Sequence, residues 1–473
     1  MLRNFIKNIS IYGILPIVGK FLNFLLVPIY AKTFTPEQYG VIDLFDSFIF
    51  FLLVVASFEI PIAMGRYFYD EEAFSHRQKI VNTSLVITFI IVVITILAAV
   101  FFKREALEHF LGGDGSASLF HISLLWLFTL TINTFLSFIP RYDNRPKVYV
   151  AVGVISIATK ILFSILFVVV LKVGLPGVIY GYICGNTASI IMYVWVSRHY
   201  FKPVFSWSYA WKMLAYALPL LLGSVVLEIW KPWLRHLITL YFPIAVVGLY
   251  AFAIRLTSVN MIVHGAFKIA WKPLLFEKKA DFVKGDTMKR ISGLVALVSI
   301  LLGCMIACFA KEATIVLGSR DYLDSVHLTG LLAISGVIQM LCELRGFGPY
   351  ISDRTYLVAI ANVVAIVAAS AFLMIVRDSA GIYGIGYACI LYELICYAVL
   401  VVYTRVKYRI VLHNLWELPL VAALCVCVFF SATAAQLRFR AAAAIVACLI
   451  GVYIFFTRYY KVNLRLRDGE ESE

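Results

Sequence analysis

The sequence predicts an all-α integral membrane fold of about 14 transmembrane helices, arranged as two six-helix lobes in a parallel pseudo-two-fold repeat followed by two C-terminal helices. Three observations predict it. The first is composition: of 473 residues, 62% are hydrophobic and only 14% charged, and the mean hydropathy is +0.91. A soluble domain carries about 25% charged residues, and this chain has too few to cover a water-facing surface. The second is the spacing of apolar runs of about 20 residues, the length that crosses about 30 Å of hydrocarbon as a helix. The third is an internal repeat. Together they exclude a soluble enzyme, a nucleic-acid binder and a disordered scaffold, although a net charge of +14 would otherwise suggest a polyanionic partner.

Taken in order, the predicted spans fall at 10–31, 40–65, 80–102, 119–140, 148–171, 177–197, 213–239, 243–270, 290–310, 325–344, 355–376, 380–403, 416–435 and 441–457. The opening MLRNFIKNIS resembles the basic start of a signal peptide, but the run that follows is too long for an h-region and lacks a small-residue cleavage site. It reads as the first span. Alternating ten-residue segments, the signature of an outer-membrane barrel, do not occur. The connections are short, which leaves no room for an extramembrane catalytic domain, so function must reside among the helices. Residues 1–205 form the expected N-terminal lobe (spans one to six) and 206–410 the C-terminal lobe (spans seven to twelve). Residues 411–460 hold spans thirteen and fourteen, and 461–473 form a charged cytoplasmic tail.

Lys and Arg set the expected orientation. Connections on the side of both termini hold most of them, including the runs RYDNRPK and KKADFVKGDTMKR. The opposite connections hold only Lys32, Lys103, Arg104, Lys172, Lys311, Arg320, Arg377, Arg438 and Arg440. The bias predicts cytoplasmic termini. Arg141 and Arg145 follow from this topology, with contact to anionic lipid headgroups as the sharper alternative.

The repeat appears at an offset of 207 residues. GLPGVIYGY at 174–182 matches GIYGIGYAC at 381–389, pairing Gly174 with Gly381, Gly177 with Gly384 and Tyr180 with Tyr387. The same offset pairs Pro36 with Pro243 and Tyr149 with Tyr356. Six spans separate the copies, an even number, so both copies enter the membrane in the same direction.

Six cations remain inside spans: Lys20, Lys160, Lys231, Arg235, Arg255 and Lys268. A charge at a helix centre costs about 2.5–3.5 kcal/mol and normally faces water or a partner. Span seven, LLGSVVLEIWKPWLRHLITL, places Glu228, Lys231 and Arg235 at i, i+3 and i+7 on one face, with Pro232 expected to break or kink the helix. Three charges on lipid would cost about 8–10 kcal/mol by addition, so they line water or pair with one another. Lys20, Glu59, Lys160, Glu228, Lys231, Arg235 and Arg255 are therefore the candidate substrate-lining residues, for an anionic headgroup such as a pyrophosphate. Glu59 and Glu228 are candidates to bind a coupling H+ or Na+. Asp43 and Asp46 lie one turn apart at the other end of span two. Lys268 reads equally well as a snorkelling interfacial cation. The nine cysteines form no CxxC pair and read as apolar packing residues. No His spacing suggests a metal site, and no cofactor is expected.

The opening NISIYGILPIVGKFLNFLLVPIYAKTFTPEQYGVIDLF, the GLPGVIYGY step before span six and the six-plus-six-plus-two layout resemble the polysaccharide-exporter (Wzx-type) flippases of the multidrug/oligosaccharidyl-lipid/polysaccharide exporter (MOP) superfamily. The resemblance implies a V-shaped two-lobe transporter of the bacterial cytoplasmic membrane that is not an enzyme. Its cargo would be an undecaprenyl-pyrophosphate-linked oligosaccharide for O-antigen, capsule or exopolysaccharide, moved by alternating access through a basic cavity lined by spans one, two, seven and eight. Membrane lipids, the lipid-linked glycan and polysaccharide assembly enzymes are the implied partners. The alternatives are a multidrug or other small-molecule antiporter of the same fold, or a lipid II flippase.

Overall fold

The computed structural model describes residues 15, 18–19, 21–22, 24–71, 73–111, 117–277, 286–352 and 354–408. Among them every regular element is helical. Ten helices are long and apolar enough to cross a membrane by length and composition. The expected spans thirteen and fourteen and the tail lie outside the described residues, as does Lys20.

The first unit, Met1–Gly248, begins with α1 (Leu26–Thr33), the end of span one. Span two starts where the sequence supplies a complete capping box. The Thr35 hydroxyl accepts from the Gln38 N–H, the Gln38 side chain accepts from the Thr35 N–H, and Pro36 occupies the first turn of α2 (Pro36–Ser57). These contacts satisfy two of the donors that a helix start leaves open. There follow α3 (Ile60–Phe68), α4 (Phe74–Phe101), α5 (Lys103–Phe110), α6 (Ala117–Tyr142) and α7 (Pro146–Ile165), which runs on as a π-helical turn. Then come α8 (Leu175–Ser197), α9 (Trp207–Glu228) and α10 (Trp230–Tyr241). The core joins α3, α4, α6, α8 and α9 through Met64, Phe68, Ile80, Phe135, Tyr193 and Met213. α7 and α8 pack backbone to backbone: a Cβ at Gly185 would lie 2.8 Å from both Lys160 Cβ and the Ser156 carbonyl. Small residues allow this approach where lipid provides no hydrophobic drive between helices.

The second unit, Leu249–Glu473, contains most of α11 (Ile244–Glu277), then α12 (Asp286–Leu317), α13 (Ser325–Arg345), the short α14 (Gly348–Ile351), α15 (Tyr356–Ala380) and α16 (Tyr383–Tyr408). Its core seats Ile300, Cys304 and Cys308 of α12 against Met340 and Leu344 of α13.

The repeat seen in the sequence has a backbone counterpart. Gly174 precedes α8 at φ 80, and Gly381 precedes α16 at φ 54, both in the left-handed region that glycine adopts without a Cβ penalty. In each unit the helix after this glycine packs along the helix before it, α8 on α7 and α16 on α15. The lobe boundary expected at 205 follows the repeat, whereas the compact-unit boundary at 248 follows packing: α9 lies on α2, α3 and α4, and α10 on α2 and α5.

Candidate functional site

Spans two and seven are both broken, and the breaks carry charge. In span two, Pro61 removes a helical donor and its ring excludes the carbonyl four residues earlier. The chain responds with two consecutive left-handed residues, Phe58 at φ 48 and Glu59 at φ 55. Each costs about 1–2 kcal/mol outside glycine, so the surrounding structure must hold them. The Phe58 N–H bonds to the Val54 and Val55 carbonyls, and the Tyr142 hydroxyl donates to the Pro61 carbonyl at 2.9 Å. Ile60, Met64 and Phe68 just beyond are fully buried. The half-buried Glu59 carboxylate accepts from the Ser224 hydroxyl of α9 at 2.5 Å.

Span seven breaks between Glu228 and Trp230, as Pro232 predicted, at the turn its ring disfavours. Glu228 and Lys231 form an ion pair at 2.7 Å and both remain exposed, by 47% and 67%. Arg235 behaves differently. Its Nε meets Asp43 Oδ2 at 2.5 Å, its Nη2 meets Asp43 Oδ1 at 3.3 Å, and its Nη1 donates to the Lys231 carbonyl at 3.0 Å. Both ionic side chains are nearly closed to solvent, at 9% and 6% exposure. This is a bidentate guanidinium–carboxylate pair, the strongest geometry for such a contact. It joins α10 to the start of α2 in a region where the backbones also touch. A Cβ at Gly248 would fall 1.8 Å from the Pro36 carbonyl, and one at Gly40 2.6 Å from the Ile244 carbonyl.

The structure thus pairs Glu228 with Lys231, Arg235 with Asp43 and Glu59 with Ser224, three separate contacts along spans two and seven. Lys160 sits on α7 with its ammonium 4.0 Å from the centre of the Tyr182 ring. Arg255 lies half-buried on α11 in the second unit. Arg141 donates to the Tyr149 hydroxyl and stacks over the Phe138 and Tyr149 rings at 4.6 and 4.2 Å. Arg145 pairs with Asp143 at 2.8 Å. These two arginines therefore fasten the turn between α6 and α7. Asp43 and Ser224 are the partners that sequence reasoning did not connect to the site. The available signal was an acid in one span opposite an in-span arginine in another. Among the described residues no cluster of three or more His, Cys, Asp or Glu side chains could hold a metal.

Ten helices long and apolar enough to cross a membrane among the described residues make this a polytopic helical membrane protein. The structure of a lipid II flippase, MurJ, in an inward closed conformation matches at a TM-score of 0.74 and 14% identity, covering 95% of this chain and 99% of that one. An inward-facing multidrug resistance MATE transporter of the MOP superfamily matches at 0.64 and 14%, covering 82% and 94%. The chain shares the fold of these two transporters. Residues 5–278 match the model of the polysaccharide biosynthesis protein family, and the chain belongs to that family. A comparison with curated protein sequences finds no match.

Proposed function

We propose that the chain is a flippase for an undecaprenyl-pyrophosphate-linked oligosaccharide, an O-antigen, capsule or exopolysaccharide unit, in the bacterial cytoplasmic membrane with both termini cytoplasmic. Family membership supports work on polysaccharide precursors, and the fold supports transport by alternating access. The observation that carries the reading is the exposed Lys231 ammonium, paired with the likewise exposed Glu228 of its own span, beside the helix break of span seven. A pyrophosphate crossing a bilayer needs point positive charge along its path, and lysine supplies it. Lys20 and Arg255 are the further in-span cations that the sequence offers to an anionic headgroup. Glu59 and Glu228 take the coupling role for H+ or Na+, each carboxylate sitting at a helix break.

The likeness to the lipid II flippase favours one alternative cargo, which shares the polyprenyl-pyrophosphate headgroup. The in-span cations weigh against a cationic drug as cargo. The test is gene deletion followed by complementation, scoring surface polysaccharide and the glycolipid held in the cytoplasmic leaflet. Loss of polysaccharide with glycolipid accumulation, rescued by wild type and not by normally inserted Lys231→Ala or Lys20→Ala, supports the reading. Unchanged polysaccharide with a shift only in drug tolerance refutes it.

A further inference from the structure

The first unit carries a second site, away from the broken spans. A groove of about 950 Å³ lies between α4, α6 and α8 and is roofed by the segment 201–205 that leads into α9. That volume matches pockets that bury a drug-sized ligand. Apart from Asn82 and Lys202 its lining is apolar. Val86, Phe89 and Val194 are 41%, 50% and 42% exposed, so the groove opens sideways from the helices, where a membrane protein meets acyl chains. It runs along α4 from Asn82 to Phe89, about 10 Å of helix.

The roof is built and fixed. Gln78 Nε2 donates to the His199 carbonyl at 2.7 Å and Asn82 Nδ2 to the Tyr200 carbonyl at 2.8 Å. The Lys202 N–H donates to Asn82 Oδ1 at 3.2 Å, and the Ser206 N–H to the Thr83 hydroxyl at 3.1 Å. Asn82 Nδ2 also reaches the Gln78 carbonyl at 2.6 Å. The amide is thereby committed to the protein and offers nothing to a polar guest, so the groove selects an apolar one. Its mouth selects charge. Residues 198–206, RHYFKPVFS, carry Arg198, His199 and Lys202 and no acid. The acid that does reach this segment, Asp143, accepts from the Tyr200 hydroxyl and pairs with Arg145. Trp195, Trp207 and Trp211 flank the segment at 67%, 72% and 68% exposure, the pattern of residues at a membrane–water boundary.

We infer that this groove binds an anionic phospholipid, with one acyl chain lying beneath the 201–205 roof and the headgroup phosphate on Lys202. Arg198, whose guanidinium lies 5.8 Å from the centre of the Trp195 ring, is a second cation four residues before Lys202 in the same segment. Such a lipid would pin the segment that leads into α9.

The test is native mass spectrometry of the full-length protein equilibrated with equal amounts of phosphatidylglycerol and phosphatidylcholine of identical chains. Wild type is expected to retain one tightly held lipid and to prefer phosphatidylglycerol. Lys202→Gln, at an exposed position, is expected to reduce that preference about fivefold without changing the melting temperature. Ile132→Trp, which fills the groove, is expected to lose the held lipid of either headgroup. An unchanged preference in Lys202→Gln overturns the proposal, and so does undiminished retention by an Ile132→Trp protein that melts like wild type. If Ile132→Trp fails to fold, the Lys202→Gln arm decides alone. Displacement of the held phosphatidylglycerol by an equimolar polyprenyl phosphate would assign the groove to a carrier-lipid tail instead and also overturn it.

Discussion

Replacing Arg235 by alanine tests the buried pair most simply. Two unit charges about 3 Å apart at an effective dielectric of about 20 attract by about 5 kcal/mol, before the cost of removing both from water. With side chains only 9% and 6% exposed, that cost is large. Deleting one partner therefore strands the other, at about 3–5 kcal/mol. The first unit, 248 residues long, has an unfolding entropy of about 0.5 kcal/mol/K at about 2.1 cal/mol/K per residue. Arg235→Ala is then expected to lower the melting temperature by about 6–10 °C in detergent, followed by tryptophan fluorescence. The double variant Asp43→Leu with Arg235→Met replaces the pair by apolar groups and is expected to recover most of that loss, because a buried ion pair and a well-packed apolar pair are often near balance. If Arg235→Ala melts within 1 °C of wild type, or the double variant melts as low as the sum of the two single variants, the pair is not the buried fastener described.

Other positions give sharp outcomes. Gly248→Ala places a methyl carbon against the Pro36 carbonyl, within 1.8 Å without movement, and is expected to separate α2 from the start of α11 and lower the melting temperature, whereas Gly223→Ala, which meets nothing within 4 Å, serves as the neutral control. Asn82→Ala removes two of the bonds that fasten residues 200–202 and is expected to destabilise by about 1–3 kcal/mol and to speed tryptic cleavage after Arg198; an unchanged cleavage rate would contradict the stapled segment. Thr35→Ala breaks the capping box of α2 and is expected to cost about 1 kcal/mol, read as a small drop in melting temperature that Thr35→Ser does not show. Glu59→Gln keeps the acceptor for Ser224 but removes the charge; transport by this variant is expected to lose its response to an imposed H+ or Na+ gradient, and a full response would remove Glu59 from the coupling role.

Much of this architecture is legible in the sequence because bilayer physics leaves few options. Twenty-residue apolar runs gave span positions that agree with the helices over spans two to twelve, and Thr35–Pro36–Glu37–Gln38 announces the start of span two by its capping chemistry. Pro232 announces the break in span seven. The break in span two was equally available from Pro61, but the consecutive left-handed residues Phe58 and Glu59 are held with help from Tyr142, whose hydroxyl bonds to the Pro61 carbonyl 81 residues earlier. The partner of Arg235 was not legible. Its spacing on span seven suggested Glu228 as well as lipid-free water, and the actual partner, Asp43, lies 192 residues earlier, where no periodicity links the two. The roof over the lateral groove was hidden for the same reason: Gln78, Asn82 and Thr83 look like an ordinary polar start to a span until the 198–206 segment folds back onto them.

The most direct measurement uses proteoliposomes holding a fluorescent polyprenyl-pyrophosphate oligosaccharide, with the fraction reachable by an external glycan-cleaving enzyme followed over time. The account predicts that wild type exposes the inner-leaflet pool far faster than protein-free vesicles do, and that Lys231→Ala and Arg255→Ala, folded and inserted as well as wild type, slow it. A wild-type rate equal to that of empty vesicles, in preparations that exchange a cationic drug, would contradict it.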